Sequence, residues 1–149
     1  MKIMVINGPN INMLGTREPG VYGNQTYSQL ESCIEEYAEK KNCEAIVLQS
    51  NSEGEIIDFI HHALGSCDGI IINPGAYTHY SYAIHDALTS VNLPAIEVHI
   101  SNIHKREEFR RKSVTAPACI GQICGLGFRG YTLALDYLIE NIKEVNGND

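Results

Sequence analysis

Glu97 and His99 stand two residues apart in the apolar segment 94–99, PAIEVH. In an extended strand, residues two apart share one face, which places the carboxylate beside the imidazole. A carboxylate there orients the ring and raises its pKa, which suits a general acid. The same spacing also describes a surface pair at a strand end, and the segment alone leaves both readings open. Just beyond, 104–112 reads HKREEFRRK. The plain reading is a solvated helical face. An arginine so close after the strand could also hold a carboxylate in a forked pair.

Two further segments carry more polar chemistry than their neighbours. The first, 7–23, reads NGPNINMLGTREPGVYG. It is long for a connection between a strand and a helix, and long loops in compact domains are usually functional. It lacks both GxxxxGK[ST] and GxGxxG, and Pro9 removes an amide that a phosphate cradle would use. Its cation is Arg17, with Tyr22 five residues later. By itself this describes a turn-rich loop with a solvated arginine and a packed tyrosine. The second segment, 73–79, is NPGAYTH.

These groups need a frame, and the hydropathy pattern supplies one. Segments 2–7 (KIMVIN), 44–49 (EAIVLQ), 69–73 (GIIIN), 94–99 (PAIEVH) and 118–123 (ACIGQI) read as strands. Three of them are nearly continuous apolar runs rich in Ile and Val, as in a parallel sheet covered on both faces. Helices fall between them. Thr26 and Gln29 predict a capping box ahead of the stripe Leu30, Cys33, Ile34, Tyr37 and Ala38. Ser52 and Glu55 predict another ahead of Ile56, Ile57, Ile60, Ala63 and Leu64. Segment 80–91 fits a third helix, and Tyr131, Leu135, Leu138 and Ile142 stripe a last one whose end, NGND, is expected to fray. Strands alternating with helices predict a doubly wound α/β domain. No repeat or linker divides it, so residues 1–149 are expected to form a single domain. In such sheets ligands bind beyond the carboxyl ends of the strands, at the switch in strand order. The polar segments all lie at such ends.

Composition narrows the function classes. A formal net charge of −7 disfavours a nucleic-acid partner, though a small anion feels only a local cluster of cations. The five cysteines are odd in number and include no CxxC pair, so neither a disulfide framework nor a zinc site is expected. They read as small buried hydrophobes in a reducing compartment. The histidines show no HExxH or HxH spacing, and the neighbours His61 and His62 are expected in ordinary roles. No apolar run reaches membrane-spanning length and the start, MKIMVINGPN, has no signal-peptide character. The expected compartment is the cytoplasm.

Taken together, NGPNINMLGTREPGVYG, NPGAYTH, EVHISNIHKREEFRRKS and GLGFRGYTLAL closely resemble the motifs of the type II 3-dehydroquinate dehydratases, in the same order and spacing. Ile11 and Met13 are conservative variants within the first. The resemblance implies a flavodoxin-like fold, α/β with a five-stranded parallel sheet and helices on both faces. It implies a lyase that dehydrates 3-dehydroquinate through an enolate, with no cofactor, metal or Schiff base. It also assigns roles. Tyr22 matches the catalytic base, Arg17 the cation beside it, and Asn10 the amide that helps hold a water against the enolate oxygen. His99 matches the proton donor to the departing hydroxyl, with Glu97 orienting it. Asn73, His79, Ile100, Ser101 and Arg110 match substrate-binding positions. Asp86 matches a residue that reaches a neighbouring subunit's site, within trimers assembled into a homododecamer. Tyr80, Tyr82, His85 and the Val114–Thr115 pair depart from the pattern without touching an assigned catalytic group.

The implied chemistry explains the residue types. A tyrosine has a reference pKa of ~10, and bringing it near 7 takes roughly 4 kcal/mol. A guanidinium in a low-dielectric site can supply much of this and cannot lose its own proton. Glu18 adjoins Arg17 and is expected to point away from it. No lysine is among the assigned residues, and the chain is short for a (β/α)₈ barrel, which needs at least about 200 residues. Two other classes compete. One is a flavodoxin-like binding module without catalysis, against which NGPNIN offers few hydroxyls for a flavin phosphate. The other is a metal hydrolase using His79, His99 and His104, whose spacing fits no known ligand pattern.

Overall fold

The computed structural model describes residues 1–16 and 18–147, and for Tyr22 the backbone alone. Five parallel strands, β1 (Lys2–Asn7), β2 (Glu44–Gln49), β3 (Gly69–Asn73), β4 (Ala95–His99) and β5 (Gly121–Cys124), form one sheet in the order β2-β1-β3-β4-β5. The helices are α1 (Pro19–Tyr22), α2 (Tyr27–Lys40), α3 (Glu53–Ala63), α4 (Tyr82–Val91) and α5 (Arg129–Gly147). This is the flavodoxin-like strand order, with its switch point between β1 and β3.

Alternation along the strands sorts their side chains into two cores. Ile3, Val5, Ile71, Ile96 and Val98 face α2 and α5, where they meet Leu30, Ile34, Leu135 and Leu138. Met4, Ile6, Ile70, Ile72 and Ala95 face α3 and α4, against Ile56, Ile60, Ile84 and Leu88. Both faces are therefore apolar, which is why the strands read as unbroken hydrophobic runs. Full burial of each of these isoleucines contributes about 1.5–3 kcal/mol.

The local signals act as their chemistry requires. Thr26 accepts from the Gln29 amide at 3.2 Å while Gln29 returns the contact to the Thr26 N–H at 2.8 Å, so the predicted capping box starts α2. At α3 the Ser52 hydroxyl accepts from the Glu55 N–H at 3.4 Å. Helix α4 starts two residues later than expected because Ser81 caps it, accepting from the Ile84 N–H.

Three expectations need correction. Strand β5 begins at Gly121 rather than at 118, because Pro117 has no N–H to give a ladder and Ala116–Ala118 close a 3₁₀ turn instead. The cysteines are all free thiols, but only Cys43 and Cys67 are buried. Cys33, Cys119 and Cys124 are partly exposed, the last on the edge strand. Among the described residues, Leu64 falls outside its helical stripe and is exposed, and His61 and His62 are exposed on α3. Of the terminal NGND, Asn146 and Gly147 continue α5; the last two residues lie outside the described ones. No described helix is long and apolar enough to cross a membrane.

Candidate active site

The carboxyl ends of β1 and β3 are knitted together by backbone. Asn7 and Asn73 are register partners, and the Gly8 N–H donates to the Asn73 carbonyl at 2.7 Å. A Cβ on Gly8 would lie 2.5 Å from the Pro74 carbonyl oxygen, so only glycine allows this approach. The chain then passes Asn10 in a left-handed conformation (φ 68°), which asparagine tolerates. The Asn10 N–H donates to Asn51 Oδ1 at 3.0 Å, and Gln49 Nε2 donates to the same oxygen at 3.1 Å and to the Gly8 carbonyl at 3.2 Å. Tyr77 closes the corner by donating to the Asn51 carbonyl at 2.8 Å. Sequence reasoning did not single out Gln49, Asn51 or Tyr77. They act through contacts between loops far apart in the chain, which no local pattern carries.

Beneath this lies a buried polar link. The Tyr131 hydroxyl, fully buried at the start of α5, donates to Asn7 Oδ1 at 2.7 Å and accepts from Asn73 Nδ2 at 2.9 Å. Asn73 Oδ1 accepts from the Gly75 N–H at 3.1 Å. The Asn73 amide is thereby held by the core. Burial pushes the Tyr131 phenol well above its ordinary value, so it stays a neutral donor.

At the end of β4, Glu97 is fully buried and His99 nearly so, and their side chains meet at 3.0 Å through His99 Nε2. Burial alone would push the Glu97 carboxyl up. The hydrogen bond and charge of His99, with donation from Thr115 and Gln122, outweigh that and hold it below its usual range. The pair is not a surface pair, so of the two readings open to the spacing, the oriented imidazole is the one that the geometry allows.

A cleft of about 130 Å³ opens over these strand ends. Asn10, Asn73, His79 and His99 line it, with Ile100 and Ser101 where the chain leaves β4 and Arg110 from the following turn. His79 is anchored by its Nδ1 against the Lys112 carbonyl at 2.7 Å. Burial holds its imidazole below the ordinary value, against the pull of that carbonyl. Arg110 lies over the Phe109 ring and donates through Nε to Glu107 at 2.7 Å. Arg106, a second cation on the wall, was not singled out from sequence. It lies 3.6 Å from the Glu18 carboxylate.

Three expected residues are not among these. Asp86 is exposed on α4 and does not line the cleft of its own chain. Arg17 and the Tyr22 side chain lie outside the described residues, although the Tyr22 backbone ends the single turn α1. His104 is exposed, and among the described residues no three His, Cys, Asp or Glu side chains are grouped to hold a metal ion.

Known proteins resemble this chain throughout. Residues 1–139 match the family model of class II dehydroquinases. The 3-dehydroquinate dehydratase of Clostridium acetobutylicum is 62% identical over 138 residues, covering 93% of this chain and 96% of its own. That of Lachnoclostridium phytofermentans is 63% identical over 140 residues, covering 93% and 97%. The crystal structure of type II dehydroquinase from Butyrivibrio crossotus superimposes with a TM-score of 0.92 at 59% identity, covering 93% of this chain and 97% of that one. A cleft at the β1–β3 switch point, an imidazole backed by a buried carboxylate and these matches lead to one conclusion: the chain belongs to the class II dehydroquinase family.

Proposed function

We propose that residues 1–149 form a single catalytic domain whose cleft removes water from 3-dehydroquinate to give 3-dehydroshikimate, the dehydration step of the shikimate pathway toward aromatic amino acids. The observation that carries this reading is the coincidence of the family match over residues 1–139 with a cleft built around the Glu97–His99 pair.

In this reading Tyr22, with Arg17 beside it, takes the proton from the carbon between the ketone and the hydroxyl-bearing carbon. Charge then builds on the ketone oxygen. Asn10, through a water, meets that oxyanion, and a donor in such a place contributes about 3 kcal/mol. The enolate collapses as His99 gives its proton to the β-hydroxyl, which leaves as water. Asn73, His79, Ile100 and Ser101 orient the ring. Arg110 meets the substrate carboxylate with its terminal nitrogens, since Glu107 engages Nε. The elimination balances with one base and one acid, so it calls for no metal, cofactor or imine.

The exposure of Asp86 away from its own cleft supports a role toward a neighbouring subunit, in trimers assembled into a homododecamer. The proposed compartment is the cytoplasm. The ultraviolet absorbance of the conjugated enone product tests the reaction: a folded sample mixed with 3-dehydroquinate should develop it, equally well in chelator. Its absence would overturn the proposal, and covalent trapping on a lysine by borohydride would overturn the imine-free route.

A further inference from the structure

Glu97 has more donors than His99 alone. Ser113 Oγ donates to Glu97 Oε2 at 2.8 Å, Gln122 Nε2 donates to the same oxygen at 2.6 Å, and the Thr115 hydroxyl donates to Oε1. The donors come from two directions. Gln122 is the register partner of Glu97 on β5, so its amide stands beside the carboxylate on the same face. Ser113 and Thr115 come from the segment before the 3₁₀ turn. There Thr78 lies 2.8 Å from both hydroxyls, and the Ala116 N–H donates to Ser113 Oγ at 2.9 Å. Since the Ser113 and Thr115 protons go to Glu97, the single Thr78 hydroxyl proton can go to one of the two at a time. The order of donors therefore runs inward to the carboxylate.

We propose that Thr115, Gln122 and Ser113 are positioning residues for the acid step: they hold Glu97 as a fixed carboxylate, which keeps the His99 proton facing it on Nε2 and leaves Nδ1 to deliver the catalytic proton. A carboxylate accepts and does not donate, and here both oxygens are met by donors. A protonated Glu97 would point its own O–H at one of them, so the ionised form is the one that fits. An ionised Glu97 requires a donor from His99, and the bonded nitrogen is Nε2. The neutral ring formed after proton transfer is then the Nε2-protonated tautomer.

The charged and titratable groups that face the pair leave this order intact. His79 and Arg110 face it from the cleft, Cys119 from the turn before β5 and Cys124 from the end of β5. Burial pushes the two thiols up to about 12 and about 11, so they stay neutral across the working range. The His79 imidazole is held low and titrates on the acid side.

The inference rests on His99 being the proton donor, and the test separates the two claims. The rate of dehydration is measured against pH for wild type, Thr115→Val, Gln122→Leu, Thr115→Ser and His99→Ala. Exchange of the substrate's carbon-bound proton in heavy water is followed alongside. Loss of a donor frees the Glu97 carboxylate to turn from the ring, and the looser contact stabilises protonated His99 less. The alkaline limb of kcat should move down by about one pH unit in T115V and Q122L, with KM and proton exchange retained. T115S keeps the hydroxyl and should restore the limb. Nitrogen NMR of His99 should show the Nε2-protonated tautomer in wild type and a mixture in the two variants. Gln122 is half-buried on the edge strand, so Q122L decides the matter if T115V loses its fold. Unmoved limbs and an unchanged tautomer in folded variants, with H99A slow, would overturn the positioning role alone. Normal dehydration by H99A would overturn the assignment of the acid itself.

Discussion

The two sides of the cleft are built differently. On the β4 side, Glu97 and His99 are buried, Glu97 is met by four donor groups, and the neighbouring strand supplies one of them. On the β1 side, the chain leaves the sheet through Asn10, is pinned by buried Ile11 and Leu14, and then runs exposed from Glu18 to Val21. α1 is one turn long and ends at Gly23 with φ 78°. The proposed proton donor thus belongs to the sheet, while the proposed base is carried by a loop. A proton donor must wait for a leaving group in a fixed geometry, and the core provides that. A base that meets substrate first is better placed where the chain can admit the substrate. The difference teaches that, on the proposed assignment, one reaction divides its two proton transfers between a buried part of the fold and an exposed one.

The largest expected effect separates these two sides. Tyr22→Phe removes the proposed base, so both dehydration and exchange of the carbon-bound proton should collapse. His99→Ala leaves the loop side whole. The enolate can still form, but hydroxide leaves poorly, and dehydration should fall by roughly 10²–10⁴-fold. Exchange with solvent deuterium should persist wherever the abstracted proton escapes before it returns. Ultraviolet assay and NMR of substrate deuteration read the two steps apart. Near-normal dehydration by Tyr22→Phe would remove the division of labour between the two sides.

The legible part of the molecule was its periodic part. β1, β2 and β3 fall where their apolar runs place them, because polar or turn residues bound each run: Lys2 and Asn7, Glu44 and Gln49, Gly69 and Asn73. The Glu97–His99 pair was legible because it needs only a period of two. The donors around Glu97 were not. Ser113 and Thr115 sit in a charged, turn-rich stretch where hydroxyls are common, and Gln122 lies in a strand whose start was read three residues early. One signal was available. A carboxylate inside an apolar strand must find donors when buried, and in a parallel sheet the strand beside it is the first place to look. Tyr131 likewise read as core, and its hydroxyl's link to Asn7 and Asn73 depends on the packing of α5 across two strands.

A smaller effect tests how firmly the two sides are joined at the switch point. Gly8→Ala forces a Cβ against the Pro74 carbonyl, which is backbone and cannot turn aside. The expected cost is about 1–3 kcal/mol of stability, read by denaturant titration. Because the strain separates the Asn10 loop from the Asn73 turn, kcat/KM should fall by up to about 10²-fold. A variant as stable and active as wild type would mean that the β1 side bends without consequence.

Acid distinguishes the sides again, more mildly. The Glu97 carboxyl is held low in the fold. Its contribution is present above the unfolded value of about 4.3 and is lost as pH falls below that toward the folded value. The His79 imidazole is also held low, by burial. The unfolded chain therefore binds that proton more readily, and stability declines as pH falls below about 6.5. Melting temperature should show an early shallow loss that His79→Gln removes, and a later loss that Glu97→Gln removes. A single loss unaffected by either substitution would refute the assignment.

The smallest expected effect concerns Glu18, the carboxylate next to Arg17. Against that guanidinium, its charge would cancel part of the field proposed to lower the pKa of Tyr22. Its carboxylate lies 3.6 Å from Arg106, on the wall of the cleft, and is half exposed. An ion pair of this kind contributes about 0–1 kcal/mol and weakens with salt. Glu18→Gln should therefore change stability by less than about 1 kcal/mol, and by less still in high salt. The more telling readout is the acid limb of kcat, which reports the base in the bound complex. If Glu18 is drawn to Arg106 in the working enzyme, that limb should stay in place when its charge is removed. A limb that moves to lower pH in Glu18→Gln would show that the carboxylate had been damping the cation beside Tyr22. The loop side would then be tuned by its own charges as closely as the sheet side is by its donors.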